Sequence, residues 1–141
     1  MKRLKILLVE DNPDDVKITQ RTLKKGNLKD ELFVARDGKE ALDFLNQRGD
    51  FPGVPRPDLI FLDLNLPKVN GLEVLAEIKK SPQLRRIPVI VLTVSKSEED
   101  RIRAYDSGAS SYIQKPASSS EFIRAINTVR GYWEVAELPP E

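Results

Sequence analysis

Short apolar runs recur along the chain, and each is followed by a segment with helical spacing. Ile6-Leu7-Leu8-Val9 is continuous, so Lys5–Val9 reads as a first strand. Residues 32–35, 59–63, 88–93 and 111–114 read as four more. Between them, Ala41, Leu42 and Leu45 make one helical stripe, and Leu72, Leu75 and Ile78 make another. Ile102 and Tyr105 mark a helix that stops at Gly108, and Phe122, Ile126, Val129 and Trp133 stripe the last one. Asn12 caps the first helix, with Pro13 at its first position, Asp14 and Asp15 in its first turn, and Gly26 at its end. Asp37-Gly38 reads as a turn, and residues 49–57, with two glycines and three prolines in nine, as a loop. Continuous apolar strands alternating with helices predict an α/β fold, a doubly wound five-stranded parallel sheet in a three-layer sandwich.

In such a sheet, ligands collect at the carboxyl ends of the strands. The first run stops at Glu10-Asp11, the third at Asp63, and the fifth at Lys115-Pro116. Three acids and a lysine are thereby expected at one sheet edge. Two bare carboxylates about 4 Å apart repel by roughly 4 kcal/mol at a near-surface dielectric. A cation must offset that repulsion.

Composition narrows the chemistry. The chain has 141 residues, which fits one domain, and a net charge of +1, which gives no reason to expect nucleic-acid binding. It contains no cysteine and no histidine, which removes thiolate, imidazole and the usual zinc chemistry. No apolar stretch reaches the length of a membrane span, and the four-residue run after the basic N-terminus is too short for a signal peptide. A cytoplasmic protein without membrane contact is expected.

Capping and the macrodipole account for Asn12, Pro13, Asp14 and Asp15. They leave Glu10 and Asp11 unexplained, since one cap suffices. Two acids before the cap and a third on another strand suggest a hard-cation site, and magnesium takes oxygen ligands. Singly, Asp63 reads as a solvated strand-end acid, Lys115 as a surface lysine and Thr93 as a β-branched strand residue. Together they offer a carboxylate nucleophile, an ammonium to neutralise phosphoryl oxygens and a hydroxyl to hydrogen-bond one of them.

The segments Ile6-Leu7-Leu8-Val9-Glu10-Asp11-Asn12, Asp58-Leu59-Ile60-Phe61-Leu62-Asp63-Leu64-Asn65-Leu66-Pro67, Gly71-Leu72-Glu73-Val74-Leu75, Pro88-Val89-Ile90-Val91-Leu92-Thr93 and Gly108-Ala109-Ser110-Ser111-Tyr112-Ile113-Gln114-Lys115-Pro116 resemble, in order and spacing, a receiver domain of the bacterial response-regulator family. The likeness covers residues 4–130. It implies a flavodoxin-like sheet in the order 2-1-3-4-5. It implies that Asp63 accepts a phosphoryl group from the phosphohistidine of a sensor histidine kinase in a two-component phosphorelay. It further implies Mg2+ on Glu10, Asp11, Asp63 and the Asn65 carbonyl. Lys115 would pair with the acceptor, Thr93 and Tyr112 would act as the switch pair, and the Lys115–Pro116 bond would be cis. On this likeness the chain is a phosphoacceptor, not an enzyme, beyond slow self-phosphorylation and self-dephosphorylation.

Val94 departs from the small residue usual after the threonine and is expected to crowd the site. The long 49–57 loop and the ending Gly131-Tyr132-Trp133-Glu134-Val135-Ala136-Glu137-Leu138-Pro139-Pro140 resemble stand-alone regulators paired with bacterial phytochromes. That likeness implies a phytochrome-type photoreceptor kinase as partner and residues 1–141 as a single receiver domain with a C-terminal extension from about 131. Tyr132, Trp133, Val135 and Leu138 have no further element to cover them, so a homodimer through the extension, the fourth helix and the fifth strand is expected. Two alternatives stand beside this reading. One is a phosphorylation-independent docking module. The other is an aspartyl-nucleophile phosphatase of the haloacid-dehalogenase type, although that class carries its nucleophile on the first strand.

Overall fold

Residues along each strand alternate between two cores, and that alternation sets the layers. A computed structural model describes residues 3–26 and 30–140. The elements run β1 (Lys5–Val9), α1 (Pro13–Lys25), β2 (Glu31–Ala35), α2 (Gly38–Leu45), β3 (Leu59–Leu62), α3 (Gly71–Lys80), β4 (Val89–Thr93), α4 (Glu98–Asp106), β5 (Ser111–Gln114) and α5 (Ser119–Val135). The strands form one parallel sheet in the order β2-β1-β3-β4-β5, as expected. Leu7, Val9, Ile60, Leu62, Val89 and Val91 face α2, α3 and α4, packing on Phe44, Leu75, Ile78 and Ala104. Ile6, Leu8, Leu59, Phe61, Ile90 and Leu92 face α1 and α5, packing on Val16, Leu23, Phe122 and Ile126. Burial on both faces explains why the strands read as unbroken apolar runs.

Register then places the functional edge. Val9 pairs with Leu62 across β1 and β3, and Leu62 with Val91 across β3 and β4. One residue further on, the Asp63 N–H donates to the Val9 carbonyl at 3.0 Å and the Glu10 N–H to the Ala35 carbonyl at 2.9 Å. Glu10 and Asp63 therefore leave the sheet side by side. The Lys115 N–H donates to the Thr93 carbonyl at 2.6 Å, which carries the same edge across β4 to β5.

Each helix starts on a polar cap. Asn12, Asp37, Asn70, Ser97 and Ser118 each accept a backbone N–H of the first turn. Asp37-Gly38 is thus the start of α2 rather than a free turn. The 49–57 loop is tied down by Phe51, whose ring packs on Phe44 with centroids 5.4 Å apart. At the end of α4, Gly108 has φ +103°, and a Cβ there would meet Lys79 Cγ at 2.9 Å, so glycine meets both demands.

Three expectations change. In α4, Ile102 and Tyr105 are 52% and 49% exposed, and the helix buries only Ala104. The stripe faces outward because this short helix meets the sheet through one small side chain. α5 runs on past residue 131 to Val135. Its stripe continues to Trp133, which is buried against the second core, with Ala136 and Leu138 packed beside it. Only Tyr132 and Val135 of the four extension residues stand exposed, at 59% and 80%. Finally, every peptide bond among the described residues is trans, Lys115–Pro116 included. The lysine reaches back over the edge by its own side chain, so the ordinary X–Pro preference prevails.

One buried ion pair was not foreseen. Arg130 of α5 donates through Nε and Nη2 to Asp30 Oδ2 and Oδ1, the second at 3.1 Å, and both side chains are 1% exposed. Asp30 Oδ1 also accepts the Leu4 N–H at 2.9 Å, so the pair joins α5 to the start of β1. Arg130→Met leaves a buried carboxylate without its guanidinium and is expected to destabilise the fold by about 3–5 kcal/mol. Combining it with Asp30→Asn, which removes the charge and keeps an acceptor for the Leu4 N–H, is expected to recover part of that loss. Denaturant midpoints of the two variants check both outcomes.

Candidate functional site

Glu10 follows β1 and is buried, because the Ala35 carbonyl holds its N–H and the sheet closes over its stem. Its Oε1 accepts a very short bond from Lys115 Nζ, and its Oε2 accepts the Asn12 N–H at 3.3 Å. Asp63 follows β3 and is also buried. Its Oδ2 lies 3.3 Å from Lys115 Nζ, and its Oδ1 accepts the Asn65 N–H at 3.2 Å. Asp11 and Asn65 are exposed at the mouth. One carboxylate oxygen each from Glu10, Asp11 and Asp63 lies within 4.8 Å of the others.

The third partner of the lysine is Asp15, whose Oδ2 sits 2.9 Å from Nζ. Three carboxylates thus bond one ammonium, and Asp11 lies beside two of them. Burial pushes the Glu10 carboxyl up to about 7, against the opposing hydrogen bond from Lys115. Burial also pulls the Lys115 ammonium down, but bonds to Glu10 and Asp15 and the charges of Asp63 and Glu10 outweigh it. Lys115 is held above its ordinary range and stays protonated. The donor set is all oxygen, three carboxylates converge, and one of them is open to solvent. These residues fit a hard divalent cation.

Thr93 is fully buried, and its Oγ1 accepts the Ser95 N–H at 3.4 Å. Tyr112 is half-buried, and its hydroxyl donates to the Ser95 carbonyl at 3.2 Å. Thr93 and Tyr112 therefore meet through Ser95 of the β4–α4 loop. Val94, which directly follows Thr93, is 59% exposed.

Sequence reasoning gave three residues no role at the site. Asp15 was absorbed into helix capping. Ser95 lies in a loop with no pattern to mark it. Gly71 opens α3, and a Cβ there would lie 2.3 Å from the Asp63 carbonyl oxygen. Only glycine lets α3 start hard against the strand that carries Asp63, and a glycine directly after the Asn70 cap was the available signal. A cleft of 480 Å³ lined by Arg56, Arg86 and Leu138 lies at the opposite edge of the sheet, before β3 and β4, and holds none of these acids.

The model for the response regulator receiver domain matches residues 6–127. The chain is similar to the response regulator Rcp1 of Synechocystis sp., at 44% identity over 135 residues, 95% of this chain and 92% of that protein. Among solved structures it is similar to the Mn(2+)-bound form of response regulator Rcp1, with a TM-score of 0.93 and 43% identity over 97% of this chain and 99% of the other. It is also similar to the phosphorylated cyanobacterial phytochrome response regulator RcpA, with a TM-score of 0.94 and 44% identity over 99% of this chain and 100% of the other. A sheet in the order 2-1-3-4-5, an acidic edge closed by a lysine and these matches over nearly the whole chain agree: the chain belongs to the response regulator receiver domain family.

Proposed function

We propose that this receiver domain takes a phosphoryl group on Asp63 from the phosphohistidine of a sensor histidine kinase and passes the signal on by changing shape. The observation that carries this reading is the setting of the Asp63 carboxylate, buried, with one oxygen on Lys115 and two further acids beside it. An Asp63 oxygen forms a bond to phosphorus as the phosphorus–nitrogen bond breaks, and the imidazole leaves with the electron pair. Glu10, Asp11, Asp63 and the Asn65 carbonyl are the residues to hold Mg2+. Bound there, the ion supplies neutralising charge for the phosphoryl oxygens. Lys115 offers its ammonium to the same oxygens, and the Thr93 hydroxyl offers a hydrogen bond. Tyr112 follows Thr93 through their shared Ser95.

The chain is then a phosphoacceptor, with self-phosphorylation and self-dephosphorylation as its only and slow chemistry. Residues 1–141 act as one receiver domain with a C-terminal extension from about 131. Similarity to the phytochrome response regulator RcpA and to the bacteriophytochrome response regulator AtBRR, at 44% identity each, supports a phytochrome-type photoreceptor kinase as the donor. No described helix is long and apolar enough to cross a membrane; a cytoplasmic location beside the kinase is part of the same proposal. Acetyl phosphate with magnesium is expected to add one phosphoryl group, seen as a mass increment. Asp63→Asn or a chelator should abolish it. Undiminished labelling of the Asp63→Asn variant overturns the assignment.

The same reading extends to assembly. Ile102 and Tyr105 on α4 and Tyr132 and Val135 at the end of α5 are large apolar groups left exposed, and aromatic residues are frequent interface anchors. A two-fold homodimer covers them. Truncation at residue 131 is a poor test, because it also removes Trp133 from the core. In its place, Tyr132→Ala with Val135→Ala is expected to leave the fold intact and yield a monomer, read by sedimentation with and without acetyl phosphate. A full-length chain that stays monomeric at high micromolar concentration in both states shows that no such dimer forms.

A further inference from the structure

Lys115 and a divalent cation claim the same oxygens. Glu10 and Asp63 belong to the converging trio, and both also bond the Lys115 ammonium. Two cations cannot share those carboxylates closely without repulsion. Asp15 is the lysine's partner outside the trio, at 2.9 Å against 3.3 Å for Asp63. Its position is secured from three sides. Asn12 Oδ1 accepts its N–H at 3.3 Å, its carbonyl accepts Thr19 Oγ1 at 2.8 Å, and the neighbouring Val16 is buried in the core. Its side chain is 21% exposed and turns toward the site, whereas Asp14, in the same helical turn, is exposed.

We propose that Asp15 is a positioning residue: it anchors the Lys115 ammonium on the α1 side of the cluster, so that Glu10 and Asp63 can be given up to a divalent cation while the lysine stays beside the acceptor. The inference rests on the reading of this edge as a cation-assisted phosphoacceptor. An ammonium has three N–H donors, and here three carboxylates receive them. When a cation takes Glu10 and Asp63, the Asp15 contact remains and the lysine need not leave the site. Without Asp15, the ammonium keeps only the two acids that the cation needs, and the two compete directly. The ordinary role of an acid in a first helical turn, favourable interaction with the macrodipole, belongs equally to Asp14 and predicts no link to Lys115.

The test is the Mg2+ and Mn2+ dissociation constant of the full chain, measured by calorimetry. Asp15→Asn is expected to weaken binding about fivefold, within the range of a coupled contact pair. Asp14→Asn removes the same charge from the same turn and should change binding less than about twofold, as exposed charges do. Asp15→Glu should recover most of the loss. In a Lys115→Met background, Asp15→Asn should fall to the small effect of Asp14→Asn. If Asp15→Asn weakens binding no more than Asp14→Asn, or weakens it equally without the lysine, the positioning role is wrong. Should Lys115→Met fail to fold, the comparison of Asp15→Asn with Asp14→Asn decides. Labelling of Asp63 by acetyl phosphate reports on the underlying reading separately, so an uncoupled Asp15 in a chain that still labels overturns this inference alone.

Discussion

Carboxylates converge on Lys115 because parallel strands deliver them to one level, and the ammonium is what makes that convergence tolerable. Glu10 and Asp63 leave β1 and β3 directly after a paired row, and Lys115 comes from β5 through its bond to Thr93. Removing the ammonium would leave two buried acids facing each other. A buried charge without its partner costs several kcal/mol, more than most single contacts in a domain contribute. The site and the sheet register therefore hold each other in place. A one-residue slip of β3 would move Asp63 to the next row and turn its apolar neighbours to the wrong face.

The two cores share this work unevenly. On one face, α1 and α5 cover the sheet, and the Arg130–Asp30 pair ties α5 to the residue before β2 and to the start of β1 at its far end. On the other, α2 and α3 bring large side chains, Phe44, Leu75 and Ile78, while α4 contributes only Ala104. The acids on β1 and β3 thus stand on the firmest part of the molecule. The residues read as the switch pair, Thr93 and Tyr112, adjoin its least anchored helix. A rigid floor under the chemistry and a lightly held element beside it suit a site that must keep its geometry while a neighbour shifts.

Much of this was legible in the sequence. The strands could be read because burial on both faces writes itself as continuous apolar runs, and Glu10, Asp63 and Lys115 could be read because they end such runs. Asp15 could not. Its helix-start position had a sufficient local explanation, and its partner lies 100 residues away. Arg130 was hidden in the same way, since a charged residue within an apolar helical stripe gives no sign of a carboxylate from a loop 100 residues earlier. The outward face of α4 was missed because Ile102 and Tyr105 carry helical spacing whether they meet a core or solvent. Periodicity reports which residues share a face, not what that face meets.

Ser95 shows how little movement a signal at Asp63 requires. Its N–H donates to Thr93 Oγ1, its carbonyl accepts the Tyr112 hydroxyl, and its own hydroxyl donates to Asp100 in the first turn of α4 at 2.6 Å. On the proposed function, the Thr93 hydroxyl is drawn toward a phosphoryl oxygen. The Ser95 N–H then loses its acceptor, and Ser95 must shift to find another, since a backbone donor left unmet is costly. That shift reaches Tyr112 through one bond and α4 through another. Because α4 buries a single small side chain, little apolar packing opposes it. The exposed Ile102 and Tyr105 move with the helix, so a change of about one hydrogen bond at the acceptor alters the very surface offered to a partner.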